Sequence, residues 1–111
     1  MIFICDLSDV PEEGGLRVEL PARPPVAVFR DQGQYFVLDD TCTHDHVSLA
    51  DGEIIDGQIA CPLHYGMFDL KTGEATASPC YIPLRTHDFT ILNEKLYLND
   101  SLRPVDDEPA L

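Results

Sequence analysis

Cations are scarce in this chain. Seven Lys and Arg stand against 20 Asp and Glu, giving a formal net charge of −13 over 111 residues. Between Arg30 and Arg85 the only cation is Lys71, while Asp31, Asp39, Asp40, Asp45, Asp51, Glu53, Asp56, Asp69 and Glu74 share the same stretch. A field of that sign repels phosphate backbones and anionic lipid heads, so no nucleic acid and no membrane is expected among the partners. It suits a basic protein surface, or serves only to keep the protein in solution. Long apolar runs are missing as well, and none approaches the roughly 20 residues of a transmembrane helix. The opening residues, Met1-Ile2-Phe3-Ile4-Cys5-Asp6, have neither the basic start nor the apolar core of an export signal. A soluble, cytoplasmic monomer is expected.

A helical period is also absent, and Pro11, Pro21, Pro24 and Pro25 break the N-terminal third too often for a helix. The periodic segments are short and aliphatic, at residues 2–5, 16–20 and 26–30, with turn formers between them. Tyr35-Phe36-Val37-Leu38 follows the turn Asp31-Gln32-Gly33-Gln34, so residues 26–38 predict a hairpin. Residues 90–92 and 96–98, joined by Asn93-Glu94-Lys95, predict a second, and a strand is expected over residues 84–89. Asp56-Gly57 between Ile54-Ile55 and Gln58-Ile59 is the strongest short hairpin signal in the chain. Lys71-Thr72-Gly73 marks another tight turn. The length suffices for one domain with its own core. The reading is an all-β fold, an antiparallel β-sandwich or open barrel. Its base is formed by residues 1–39 and 85–99, and a small β subdomain over residues 40–84 is inserted into it. Residues 100–111, with Pro104, Asp106, Asp107, Glu108 and Pro109, read as a loose acidic tail.

Only four cysteines are present, and without an export signal a disulfide framework is not expected. Two of them open matched pieces, Cys42-Thr43-His44 and Cys61-Pro62-Leu63-His64, with 16 residues between. Two thiolates and two imidazoles in that order suit one 2Fe–2S cluster of the Rieske kind, in which thiolates hold one iron and imidazoles the other. Asp56-Gly57 would fold the intervening linker and bring the pairs together. Pro62 stiffens the second loop and Gly66 relaxes steric limits near the cluster. Zinc also accepts two Cys and two His, but usually pairs like with like at wider spacing, and a zinc-stabilised binding module stands as an alternative. His46 could replace His44 only by breaking the symmetry of the two loops. His87 reads as a packing or surface residue, and Cys5 and Cys80 as small buried hydrophobes.

Cys42-Thr43-His44 with Ser48-Leu49-Ala50-Asp51-Gly52, then Cys61-Pro62-Leu63-His64-Tyr65-Gly66-Met67-Phe68-Asp69, resembles the Rieske ferredoxins of bacterial aromatic-ring-hydroxylating dioxygenase systems. The Lys71-Thr72-Gly73 turn and Ser78-Pro79 match too, and the resemblance runs to about Leu98. It implies the Rieske fold of three antiparallel sheets, with the cluster at the tip of the inserted subdomain. Cys42 and Cys61 would ligate one iron and His44 and His64 the other. It implies a carrier of single electrons from an NAD(P)H-dependent flavin reductase to a terminal oxygenase, whose docking surface should be basic to suit the acidic charge here. The related respiratory Rieske proteins join an extra cysteine from each loop and place Ser and Tyr hydroxyls near the cluster. Here no such cysteines occur, and Gly66 and Phe68 stand where the hydroxyls would be. A potential near the low end of the Rieske range, about −150 mV, is expected. An oxygenase would need a further site of two His and a carboxylate, and only His46 and His87 remain for it. A small nitrite reductase subunit is a second alternative.

Overall fold

A computed structural model describes residues 1–43, 47–63, 65–78 and 80–99. Its strands are β1 (Ile2–Asp6), β2 (Gly15–Leu20), β3 (Arg23–Asp31), β4 (Gln34–Asp39), β5 (Glu53–Ile55), β6 (Gln58–Ala60), β7 (Met67–Asp69), β8 (Ala75–Ala77), β9 (Phe89–Leu92) and β10 (Lys95–Leu98). They form three antiparallel sheets, ordered β1-β10-β9, β2-β3-β4 and β5-β6-β7-β8. Short 3-10 turns at Leu7–Asp9 and Leu49–Asp51 are the only helical pieces among the described residues, so the all-β expectation is met. No described helix is long and apolar enough to cross a membrane.

Strand β3 is buried on both faces, and its alternation divides the interior in two. Val26 and Val28 join Ile4, Cys5, Val10, Val37, Leu96 and Leu98 in one apolar cluster. Ala27 and Phe29, from the opposite face, join Leu38, Leu49, Ile59, Phe68 and Leu70 in the other, together with Cys42, Cys61 and Cys80. The middle sheet is thus a shared wall between the β1-β10-β9 sheet and the region of the two paired motifs. Side chains such as Phe29 and Phe68, both 0% exposed, contribute roughly 2–3 kcal/mol each by leaving water.

Three hairpins turn on two residues with positive φ: Gln32-Gly33 (52° and 80°), Asp56-Gly57 (52° and 78°) and Asn93-Glu94 (52° and 64°). Such pairs match the right-handed twist of the flanking strands, and the flanking partners are Asp31↔Gln34, Ile55↔Gln58 and Leu92↔Lys95. All three were expected at these places, although Lys95 belongs to β10 rather than to its turn.

Two expectations need correction. The third strand begins at Arg23, not Val26, and so contains Pro24 and Pro25. The ladder with β2 is irregular there, between Val18 and Leu20, so the missing proline N–H groups break no regular pairing. Residues 84–88 do not form a strand. They make one isolated bridge, Leu38↔Thr86, and two bonds along the free edge of β4, from Asp39 N–H to Arg85 O at 3.0 Å and from His87 N–H to Val37 O at 2.9 Å. This segment crosses from one sheet to another, and regular pairing resumes at Phe89.

Candidate metal centre

Cys42 lies just beyond β4 and Cys61 just beyond β6, and both are 0% exposed. Their loops close in the same way. The N–H of Cys42 donates to Val47 O at 2.9 Å, and the N–H of Cys61 donates to Gly66 O at 2.7 Å. Each cysteine therefore clamps its loop onto the carbonyl five residues later, and a Thr41↔Ser48 bridge reinforces the first. Two thiols reach one buried region on similarly built loops, as a donor set shared between two motifs requires. His44, His46 and His64 lie outside the described residues.

The base of the first loop is fixed by a buried carboxylate. Asp40 is 1% exposed, and its Oδ1 accepts hydrogen bonds from Ser48 Oγ at 2.8 Å and from Ala50 N–H at 3.0 Å. Its Oδ2 accepts from Arg17 Nε at 3.1 Å. A buried charge persists only when so compensated, and here the compensation ties β2 to both ends of the loop. Farther out, Thr43 Oγ1 donates to Ile82 O at 2.7 Å and anchors the loop to the segment after Cys80.

Cys80 is a third buried thiol at the same place. Its Sγ is 3.9 Å from Cys42 Sγ. A Cβ on Gly66 would lie 2.3 Å from that sulfur, so the space a side chain at 66 would take is filled by the Cys80 thiol. Burial pushes the Cys80 thiol up to about 12, with Cys42 and then Cys61 adding repulsion between like charges. Cys5 belongs to the other cluster; burial first, then Asp9 and Asp6, pushes its thiol up to about 11. Such a thiol is unreactive at neutral pH.

The acidity of the surface is smaller than the sequence count implies. Asp40 is inside, and Asp39 accepts from His87 Nε2 at 2.8 Å with Arg85 Nε 3.8 Å away. His87 is accordingly a largely buried packing residue whose ring nitrogen is engaged. Asp51, Glu53, Asp56 and Glu74 are exposed. So are four apolar side chains on the second motif segment and the segment after Cys80, namely Leu63, Tyr65, Tyr81 and Ile82, with Tyr81 80% and Tyr65 65% exposed. Sequence reading missed these exposed side chains, and it missed the parts played by Asp40 and Cys80. The one available signal was the presence of four bulky apolar residues within loops already rich in turn formers.

Residues 1–88 match the family described as the Rieske 2Fe-2S domain. The ferredoxin component of the p-cumate 2,3-dioxygenase system of Pseudomonas putida is 35% identical over 106 residues, covering 95% of this chain and 90% of that protein. Among solved structures, the Sphingomonas yanoikuyae B1 ferredoxin superposes with a TM-score of 0.85 at 34% identity, over 90% of this chain and 98% of its own. A structure described as a complex of reduced oxygenase and oxidized ferredoxin in carbazole 1,9a-dioxygenase matches with a TM-score of 0.80 at 33% identity, over 87% and 99% of the two chains.

Proposed function

The chain belongs to the Rieske 2Fe-2S domain family, among the ferredoxin components of aromatic dioxygenase systems, and we propose from that premise that it carries single electrons to a terminal aromatic-ring-hydroxylating oxygenase. It is the electron-transfer component of such a system and not the catalytic oxygenase. When bound, the cluster supplies a site that accepts and releases one electron. The observation that carries the reading is the pair of fully buried cysteines on alike-closed loops, in a chain about a third identical to dioxygenase ferredoxins along nearly its whole length. Cys42 and Cys61 would hold one iron and His44 and His64 the other.

Residues 40–84 act as the cluster-binding unit, which the placement of β5 to β8 within that range supports. Backbone clamps and the Asp40 network hold the loops in a fixed shape, so that little rearrangement accompanies electron transfer. The exposed Leu63, Tyr65, Tyr81 and Ile82 offer an apolar contact beside the loops. The exposed acids of the same unit favour a basic docking surface on the oxygenase. The donor is an NAD(P)H-dependent flavin reductase, and the protein works as a monomer in the cytoplasm. A nitrite reductase small subunit is the weaker reading, because the relatives at about a third identity are dioxygenase ferredoxins.

Reconstitution tests this. With NADH, a flavin reductase and an aromatic-ring oxygenase of this class, product formation should require the chain, and Tyr81→Glu should slow it by about tenfold or more while leaving the cluster spectrum intact. Oxygenase turnover that proceeds equally well without the chain would contradict the reading.

A further inference from the structure

The Cys80 thiol packs directly against the sulfur of a candidate ligand. Its Sγ is 3.9 Å from Cys42 Sγ, within reach of a sulfur–sulfur hydrogen bond, and both residues are buried. Its backbone is pinned by an N–H bond to Ala77 O at 3.1 Å. The absence of a side chain at Gly66 leaves the thiol its place, since a Cβ there would come within 2.3 Å of it. Ligation decides the direction of the bond. A cysteine bound to iron is a thiolate and has no proton to give, whereas a non-ligating thiol at neutral pH keeps its own. Only Cys80 can then donate.

We propose that the Cys80 thiol donates a hydrogen bond to the Sγ of Cys42 and thereby raises the reduction potential of the cluster. The inference rests on the reading of Cys42 as a ligand. Reduction adds one negative charge to the cluster and its sulfurs, and a donor aimed at a ligand sulfur stabilises the more negative state. A thiol is a weak donor, but a buried, charge-assisted bond is stronger than an exposed one. Cys80 acts through Cys42 and is a positioning residue, not a ligand.

The test is a redox titration of the intact, cluster-loaded chain, followed by visible circular dichroism and electron paramagnetic resonance. Cys80→Ala should keep the Rieske spectrum and shift the one-electron reduction equilibrium about threefold to tenfold toward the oxidised state, tenfold being about 59 mV. Cys80→Ser, which restores an O–H donor, should recover part of that fall. Cys80→Val refills the space without a donor and should behave like Cys80→Ala. An unchanged midpoint in Cys80→Ala and Cys80→Val overturns the proposal. Failure of both to assemble a cluster also overturns it, because Cys80 would then be needed to build the site, not to tune it. Cys42→Ser, measured alongside, separates the two claims. If it keeps the Rieske spectrum unchanged, the ligand reading fails; if it loses that spectrum while Cys80→Ala titrates like the parent, only the hydrogen bond fails.

Discussion

Asp40 occupies a position that a carboxylate takes only with partners. Ser48, the Ala50 N–H and Arg17 supply them, and together they hold both ends of the first motif loop. Removing the carboxylate leaves the part-buried Ala50 N–H without its acceptor and frees the loop base. Asp40→Ala should therefore cost about 3 kcal/mol in denaturant unfolding, and the chain should hold its cluster less firmly. A loss under about 0.5 kcal/mol, the range of an ordinary surface change, would show that the network is dispensable. Sequence could not reveal this residue. Asp39-Asp40 reads as a solvated charge run, and the guanidinium that permits burial is 23 residues away. The expectation that Cys42 and Cys61 share a site comes, by contrast, from local spacing, and the structure buries both in one cluster. Cys80 carries no such spacing. Its closeness to Cys42, 38 residues away in sequence, arises only in the folded chain. The sequence also led us to expect a low potential from the hydroxyls missing at Gly66 and Phe68. The structure places the Cys80 thiol where a side chain at 66 would be, and the donation proposed above would offset part of that loss.

Elements differ in how far local chemistry decides them. The hairpins at Gln32-Gly33, Asp56-Gly57 and Asn93-Glu94 were readable because a two-residue turn is specified by its own two residues. Sheet order was not readable, since β1 pairs with β10 across almost the whole chain and only tertiary packing fixes that partnership. Residues 84–88 failed as a strand because β propensity describes a half-buried pleat, whereas this segment bridges two sheets. Two glycines separate the contributions of turn and packing. Gly57 has φ +78°, and a Cβ added there would meet nothing within 4 Å, so Gly57→Ala should cost only the backbone strain, about 1 kcal/mol. Gly73 has φ +79°, and its Cβ would lie 2.2 Å from Leu84 O, whose residue is itself tied back by its N–H to Gly73 O at 2.7 Å. Gly73→Ala should therefore cost about 3 kcal/mol or more, because a backbone carbonyl cannot rotate aside. Thermal unfolding of the two variants should place them clearly apart, and equal losses would mean that the contact at Leu84 is not rigid.

At the scale of the whole molecule, one strand with two buried faces joins a supporting half to a site-bearing half. Val26 and Val28 look toward β1 and β10, while Ala27 and Phe29 look toward the cysteines. The overall charge was legible from composition, but its distribution was not: Asp40 is buried and Asp39 is paired with His87 and Arg85, while Asp51, Glu53, Asp56 and Glu74 are exposed on the site-bearing half. That half also exposes the tyrosines that sequence patterning passed over. The division suits a carrier, with the cysteines buried inside and acids and tyrosines exposed outside. The central claim is that this chain holds one Rieske cluster and exchanges one electron through it. Its most direct test is a reductive titration of the purified chain combined with iron and acid-labile sulfide analysis. The account predicts two irons and two sulfides per chain, one electron taken up, and a Rieske spectrum that Cys61→Ser abolishes. A colourless, zinc-containing chain that takes up no electron would contradict it.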